Sequence, residues 1–175
     1  MRIRTARLAE LPLLLEIEYA AGRVFHDLDM AEIAENDLPA PAELTPYQQD
    51  GRAWVTADQT DRPIAYALVE EVDGNLHVEQ ISVHPEHARR GLGRRLLEHL
   101  AGEATRRGMP ALTLTTFVEV PWNAPYYERC GFRILTDDEL TPGLRAIRDR
   151  ETALGLDRWP RTAMRRDLVR WGGTS

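Results

Sequence analysis

The chain contains no lysine: all 22 basic residues among its 175 positions are arginine. That absence excludes Schiff-base chemistry, a pyridoxal anchor and the lysine of a nucleotide phosphate loop. Cys130 is the single cysteine, so no disulfide can close within the chain and no multi-cysteine zinc site can form. One thiol suits a reducing compartment. There is no apolar run of membrane-spanning length; the stretch from Leu11 to Ile17 is short and broken by Pro12 and Glu16. The early arginines are followed by no long apolar segment with a small-residue cleavage site, so no secretory signal is expected and the expected location is cytoplasmic. Nor is there a surplus of positive charge. The formal net charge is -6, and a field of that sign disfavours a general role on nucleic acid or on an anionic membrane. Internal repeats and low-complexity segments are also missing.

What is present describes one globular domain spanning 1–175. The length fits a single core, and 43% hydrophobic with 29% charged residues is ordinary for a folded chain. Arg2 to Ala6 reads as a strand, and Leu8 to Gly22 has helical spacing through Leu11, Leu14, Leu15, Ile17 and Ala21. A second helix is expected around Met30 to Ala34, and the proline-rich stretch from Asn36 to Pro46 reads as a loop. Ala53 to Thr56 is a strand. Ile64 to Val72 and Leu76 to Val83 flank Asp73-Gly74-Asn75, the clearest hairpin signal in the chain. A helix follows from Gly91 to Arg107, with Leu92, Leu96, Leu97, Leu100, Ala101 and Ala104 on one side and Gly108 as its stop. Ala111 to Phe117 is a buried strand, Tyr126 to Cys130 a short helix, and Phe132 to Leu135 a strand. Glu139 to Leu154 has a helical stretch after Thr141-Pro142, and Thr162 to Leu168 is the last strand. The order implies an α/β chain with an antiparallel front half and a βαβ-like crossover.

The segment from Val83 to Arg95 carries the most chemistry. It runs from strand through turn to helix, and Arg89, Arg90, Arg94 and Arg95 surround the helix start. Helix starts carry partial positive charge and favour acidic residues; cations there cost a few tenths of a kcal/mol each, up to ~1. Arginines in that place imply an anion to come. Gly91 and Gly93 lack side chains, so backbone N–H groups can approach that anion closely. The reading is a pyrophosphate site; the competing one is a solvated turn whose arginines pair with Glu86 or Glu98. No GK[ST] is present, and G-L-G-R-R-L lacks a third glycine, which weakens a dinucleotide fold.

Ala88-Arg89-Arg90-Gly91-Leu92-Gly93, after a strand ending Ile81-Ser82-Val83, resembles the Q/R-x-x-G-x-G/A acyl-CoA motif of the GCN5-related N-acetyltransferase (GNAT) superfamily, with Ala88 standing where the motif has Gln or Arg. Asn123 to Phe132, with Tyr127 four residues before Gly131, is similar to the family's N…Y-x-x-x-G-F signature. The resemblance covers Ile3 to Phe132. It implies an α/β (α+β) fold with a mixed central sheet, flanked by helices, in which the parallel strands Leu76–Val83 and Ala111–Phe117 splay. It further implies acetyl-CoA as cosubstrate and no metal. The pantetheine arm would pair with Ile81, Ser82 and Val83, and the diphosphate would lie on amides of Arg89, Arg90, Gly91, Leu92, Gly93 and Arg94. An N–H near Ile81 to Val83 would serve as oxyanion donor. His77 and Glu79, on one face of a strand, hold positions where family members carry a catalytic His or Glu, with a water chain as the alternative base. Tyr127 would protonate the leaving thiolate. Asn123 would bind the pantetheine arm, cap the short helix, or both.

The function implied is direct acetyl transfer to an amine, on a small molecule or a peptide N-terminus; the alternatives are a non-catalytic acyl-CoA-binding or regulatory module of the same fold, and a small nucleotide-binding protein. No nucleic-acid or membrane partner is expected, and homodimer formation is left open. Asp27, Asp29, Glu32 and Glu35 would favour a cationic acceptor or form a solvated acidic face. Cys130 reads as a small buried residue, His84 and His87 as solvated residues flanking the turn, and Trp122 as a candidate border of the acceptor cleft.

Overall fold

The computed structural model describes residues 1–23 and 39–168. In chain order the elements are β1 (Arg2–Thr5), α1 (Leu11–Gly22), α2 (Pro41–Gln49), β2 (Ala53–Ala57), β3 (Pro63–Val72), β4 (Asn75–Val83), α3 (Leu92–Arg106), β5 (Ala111–Phe117), α4 (Ala124–Arg129), β6 (Arg133–Ile134), α5 (Pro142–Ala153) and β7 (Arg161–Asp167). Hydrogen bonds join the strands in the order β1-β2-β3-β4-β5-β7-β6. The β1–β2, β2–β3, β5–β7 and β6–β7 pairs are antiparallel, whereas β4 and β5 run parallel. This is the mixed sheet flanked by helices that the sequence implies. The parallel register is confined to Leu76↔Leu112 and His77↔Thr113, and β4 continues beyond it to Val83.

The chain divides into two compact units. The first comprises Met1–Val69 and Gln80–His99. Its core joins Leu11, Leu14, Leu15 and Ile17 of α1 to Leu44 of α2 and to Val55, Tyr66 and Leu68 of the strands. Tyr66 and Leu68 sit two apart, so they enter the core from one face of β3. Tyr66 is fully buried and its hydroxyl donates to Glu18 Oε2 at 2.8 Å. Burial raises the Glu18 carboxyl and, with the nearby Glu18 charge, holds the phenol well above its ordinary range.

The second unit comprises Glu70–Glu79 and Leu100–Ser175. β5 and β7 pair along their whole lengths, from Ala111↔Asp167 to Phe117↔Arg161. Leu144 and Ile147 of α5 pack with Leu135 and Ala163, and Val72 lies against that cluster. Helix α3 belongs partly to each unit, and every residue of its expected apolar face is buried.

Three expectations change. The loop read through Pro46 is helical from Pro41: Pro41 starts α2 at a position with no helical N–H to lose, and Leu44 is buried while Tyr47 packs on the same core. Burial of those two residues at i, i+3 spacing outweighs the single bond that Pro46 removes. The first helix starts at Leu11, preceded by a 3-10 turn over Leu8–Glu10, and Ala21 is only half-buried. The strand read from Phe132 to Leu135 shrinks to Arg133–Ile134. The helix expected at Met30 to Ala34 and the acidic residues Asp27, Asp29, Glu32 and Glu35 lie outside the described residues.

Candidate functional site

In the first unit, β4 ends at Val83 and a 3-10 turn over Pro85–His87 leads to the arginine-rich bend. The β3–β4 hairpin has a two-residue turn, Asp73–Gly74, with φ of 52° and 80°, which sets Val72 opposite Asn75. At the far end the His84 amide donates to the Ile64 carbonyl at 2.9 Å. Eight steps separate Ile64 from Val72 but nine separate Asn75 from His84, so β4 holds one extra residue, a bulge. A bulge leaves backbone polar groups out of the ladder, which is what an oxyanion donor on this strand requires. Ser82 is buried and its hydroxyl accepts from Gln80 Nε2 at 2.9 Å; Ile81 and Val83 are half-buried.

At the bend, Arg89 (φ 63°) and Gly91 (φ 73°) both adopt the left-handed region, and α3 begins at Leu92. Gly91 stands one residue before the helix, where that φ suits glycine. The guanidinium groups of Arg89, Arg90, Arg94 and Arg95 are on exposed residues, and among the described residues no carboxylate lies within 4.0 Å of any of them. The pairing with Glu86 or Glu98 that a solvated turn would show is not made. Arg90 Nη1 instead meets His87 Nδ1 at 3.4 Å. Four uncompensated cations at the positive end of a helix repel one another, and a bound anion with several negative oxygens relieves that repulsion. A diphosphate fits this arrangement. His84 and His87, expected to be solvated, are half-buried, and His84 Nδ1 accepts from the Glu86 amide to cap the turn.

In the second unit, His77 and Glu79 do share one face, with His77 Nε2 3.7 Å from Glu79 Oε2. His77 is buried and its Nδ1 meets Thr113 Oγ1 of β5 at 2.8 Å. Desolvation pushes its pKa down to about 4, against the raising effect of Glu70 and Glu151, so the ring is neutral at pH 7. Glu79 behaves oppositely. Desolvation, the charge of Glu70 and a hydrogen bond with Glu70 raise its pKa to about 7. Arg150 lowers both groups. Glu79 stays accessible, with 41% of its side chain exposed. A reachable carboxyl poised near neutrality can take a proton at pH 7; a buried neutral imidazole with one nitrogen committed to Thr113 is better suited to hold position.

Tyr127 is buried in α4, its ring packed edge-on against Tyr126 and Phe132. Burial raises its phenol, which keeps it protonated and a hydrogen-bond donor. Among the described residues no hydrogen bond links the Tyr127 hydroxyl to His77 or Glu79. Asn123 occupies the residue before α4, yet its side chain makes no capping bond, so the expected cap is not formed; at φ -112°, ψ -113° its backbone has neither of the usual cap conformations. Cys130 is buried as expected, and Trp122 is 40% exposed. Among the described residues no group of three or more His, Cys, Asp or Glu is placed to hold a metal ion, and no helix is long and apolar enough to cross a membrane.

Four residues were missed from the sequence: Glu70, Thr113, Arg150 and Glu151. Glu70 had a signal, since a two-residue turn at Asp73–Gly74 places it across the hairpin from His77. The other three come from β5 and α5 and have no local signature.

A strand that runs through a bulge into an arginine-lined bend and then a helix, within a mixed sheet, defines an α/β protein whose helix start gathers four arginines without a carboxylate partner among the described residues. The chain belongs to the acetyltransferase (GNAT) family, whose model matches residues 21–132. It is 39% identical over 82 residues to the [ribosomal protein bS18]-alanine N-acetyltransferase of Salmonella typhimurium strain LT2, a match covering 47% of this chain and 54% of the relative. The enzyme of that name from Escherichia coli K12 is 35% identical over 78 residues, covering 45% of this chain and 53% of the relative. The chain thus spans about half the length of the curated relatives it matches. Among solved structures, the ribosomal-protein-S18-alanine N-acetyltransferase from Escherichia coli is similar over 99% of this chain and 97% of its own, with TM-score 0.66 and 21% identity. N-acetylglutamate synthase from Neisseria gonorrhoeae, complexed with coenzyme A and N-acetyl-glutamate, gives TM-score 0.72 at 16% identity over 97% of this chain and 35% of that one. At such identities these two structures show the fold.

Proposed function

We propose that this chain is an acetyl-CoA-dependent N-acetyltransferase, acting as one domain in the cytoplasm and transferring acetyl directly to an amine. The observation that carries the reading is the set of four exposed arginines at the Gly91 bend with no carboxylate partner among the described residues. Amides of Arg89, Arg90, Gly91, Leu92, Gly93 and Arg94 would hold the diphosphate, the backbone of Ile81, Ser82 and Val83 would pair with the pantetheine arm, and Asn123 would contact that arm.

Bound acetyl-CoA supplies an acetyl thioester, whose C–S bond breaks as the acceptor nitrogen forms the new C–N bond. An alkyl ammonium is mostly protonated at pH 7 and cannot attack. Glu79 takes that proton, because burial and the neighbouring Glu70 raise its pKa to about 7. Neutral His77, held by Thr113, fixes the strand face on which Glu79 stands. An N–H of the bulged segment near Ile81 to Val83 donates to the carbonyl oxygen as charge develops there. Tyr127 donates its hydroxyl proton toward the departing sulfur and is reprotonated, through solvent, by the second proton that the attacking nitrogen gives up as the amide forms.

The test is free-thiol release across a broad amine panel, with thermal shifts measured for acetyl-CoA, NAD and ATP. Acetyl-CoA should shift the melting point and at least one amine should release thiol. Tyr127→Phe should lower kcat by about 10²-fold, in the range of general acid–base contributions, with a smaller change in the KM for acetyl-CoA. Binding of acetyl-CoA without thiol release from any amine, with Tyr127→Phe silent, would establish a non-catalytic acyl-CoA module instead. A shift with NAD and none with acetyl-CoA would overturn both.

A further inference from the structure

The second unit contains a groove of about 570 Å³, lined by Glu70, Glu71 and Val72 at the end of β3, by Asp73 of the turn, and by Gly143, Ala146, Ile147 and Arg150 of α5. We propose that this groove is the acceptor site and that it takes the N-terminal residues of a polypeptide, with Arg150 holding the first peptide carbonyl and Glu71 facing the side chains that follow. The proposal rests on the N-acetyltransferase reading above.

Glu70 ties the groove to the chemistry, because it lines the groove and stands across the β3–β4 hairpin from His77, which shares its strand face with Glu79. An amine lying along the groove therefore ends at the carboxyl that would take its proton. The other charged groups are unequal in what they have left to offer. Asp73 Oδ2 accepts from the Gly143 amide at 2.8 Å. Glu151 is committed to Thr115, Arg148 and Arg161 at 2.7, 2.9 and 2.7 Å. Glu71 and Arg150 are both exposed, and among the described residues neither side chain has a hydrogen bond or ion pair. They are the two charges free to read a ligand.

Arg150 lines the same groove as Glu70, and its charge lowers the pKa of both His77 and Glu79. A group bound by Arg150 is then a close neighbour of the acceptor nitrogen. In a peptide that neighbour is the first carbonyl, whose oxygen can accept from a guanidinium N–H. The volume falls in the range that houses ligands much larger than a simple amine. Ile147 and Val72 supply an apolar wall for a small first side chain.

The full-length protein would be assayed with tetrapeptides carrying Arg or Glu at the second position, with the same peptides N-terminally blocked, and with free alanine, alaninamide and butylamine. Peptide affinities would be measured by calorimetry in the presence of coenzyme A. Wild type should acetylate the unblocked Arg peptide best, and the blocked one not at all. Arg150→Gln should raise the peptide KM about tenfold, leaving the KM for acetyl-CoA within about twofold. Glu71→Arg should swing the preference between the Arg and Glu peptides by about tenfold or more toward Glu. If thiol is released but neither variant alters any peptide KM, or if only small amines are acetylated, the groove assignment is overturned while the transferase reading stands. Were no amine to release thiol, the transferase reading would fail. The groove would then stand if the two variants weaken calorimetric peptide binding, and fall if they do not or if wild type binds none.

Discussion

His77 shows how a single side chain can be legible in kind while its surroundings are not. Its alternation with Glu79 along a strand identified the pair, and the two do share a face. Burial, which no spacing reveals, then separates them: one becomes a neutral, fixed imidazole and the other a carboxyl poised near neutrality. The buried ring has a measurable cost in acid. Its folded pKa of about 4 lies below the 6.5 of the unfolded chain, so between those values the unfolded state binds more protons. The ring's own contribution to stability should fall as pH drops from 6.5 and level off below 4, by about 3 kcal/mol at ~1.36 kcal/mol per pH unit. In His77→Asn that part of the slope should vanish. Urea denaturation of both proteins at pH 4, 5, 6 and 7 measures it, and parallel curves for the two would refute the burial argument. Glu79 has the opposite sign, its raised pKa costing stability as pH climbs through 7.

At the scale of elements, the helices with strong apolar stripes and the hairpin were readable from periodicity and from the Asp-Gly turn. Helix α2 was not. Its prolines argued for a loop, and only the burial of Leu44 and the packing of Tyr47 make it helical. The start of α5 shows a second kind of hidden information. A Cβ on Gly143 would sit 2.6 Å from Val72 Cγ1 and 2.7 Å from Asp73 Oδ2. The strand end and the helix start approach so closely that glycine alone fits, and the Asp73 carboxylate caps the exposed amide there. Val72 is β-branched and has little freedom to turn aside. Gly143→Ala should therefore destabilise the protein by about 1–3 kcal/mol, the usual range for overpacking. An unchanged denaturation midpoint would show that the contact relaxes without strain.

For the molecule as a whole, the charge balance of -6 hides a local reversal at the Gly91 bend. If the bend holds the diphosphate, acetyl-CoA at one hundred times its Kd should stabilise the chain by about 2.7 kcal/mol, which is about 5–10 °C in Tm for a domain of this size. Gly91→Val should abolish most of that shift. Its Cβ would meet no atom within 4 Å, but at φ 73° a β-branched residue forces the backbone elsewhere and the amides turn away. A full shift in the variant would remove the diphosphate from the bend. Composition alone excluded lysine chemistry and internal disulfides, and local patterns located the hairpin, α3, the arginine bend and the Tyr127 helix, because helix periodicity, turn chemistry and glycine placement act over a few residues. The pairing of Glu70 with Glu79, the anchoring of His77 by Thr113, the groove beside α5 and the failure of Asn123 to cap became visible only in the folded chain. Each depends on which distant segments burial and strand register bring within a few ångströms, and no short window of residues encodes that.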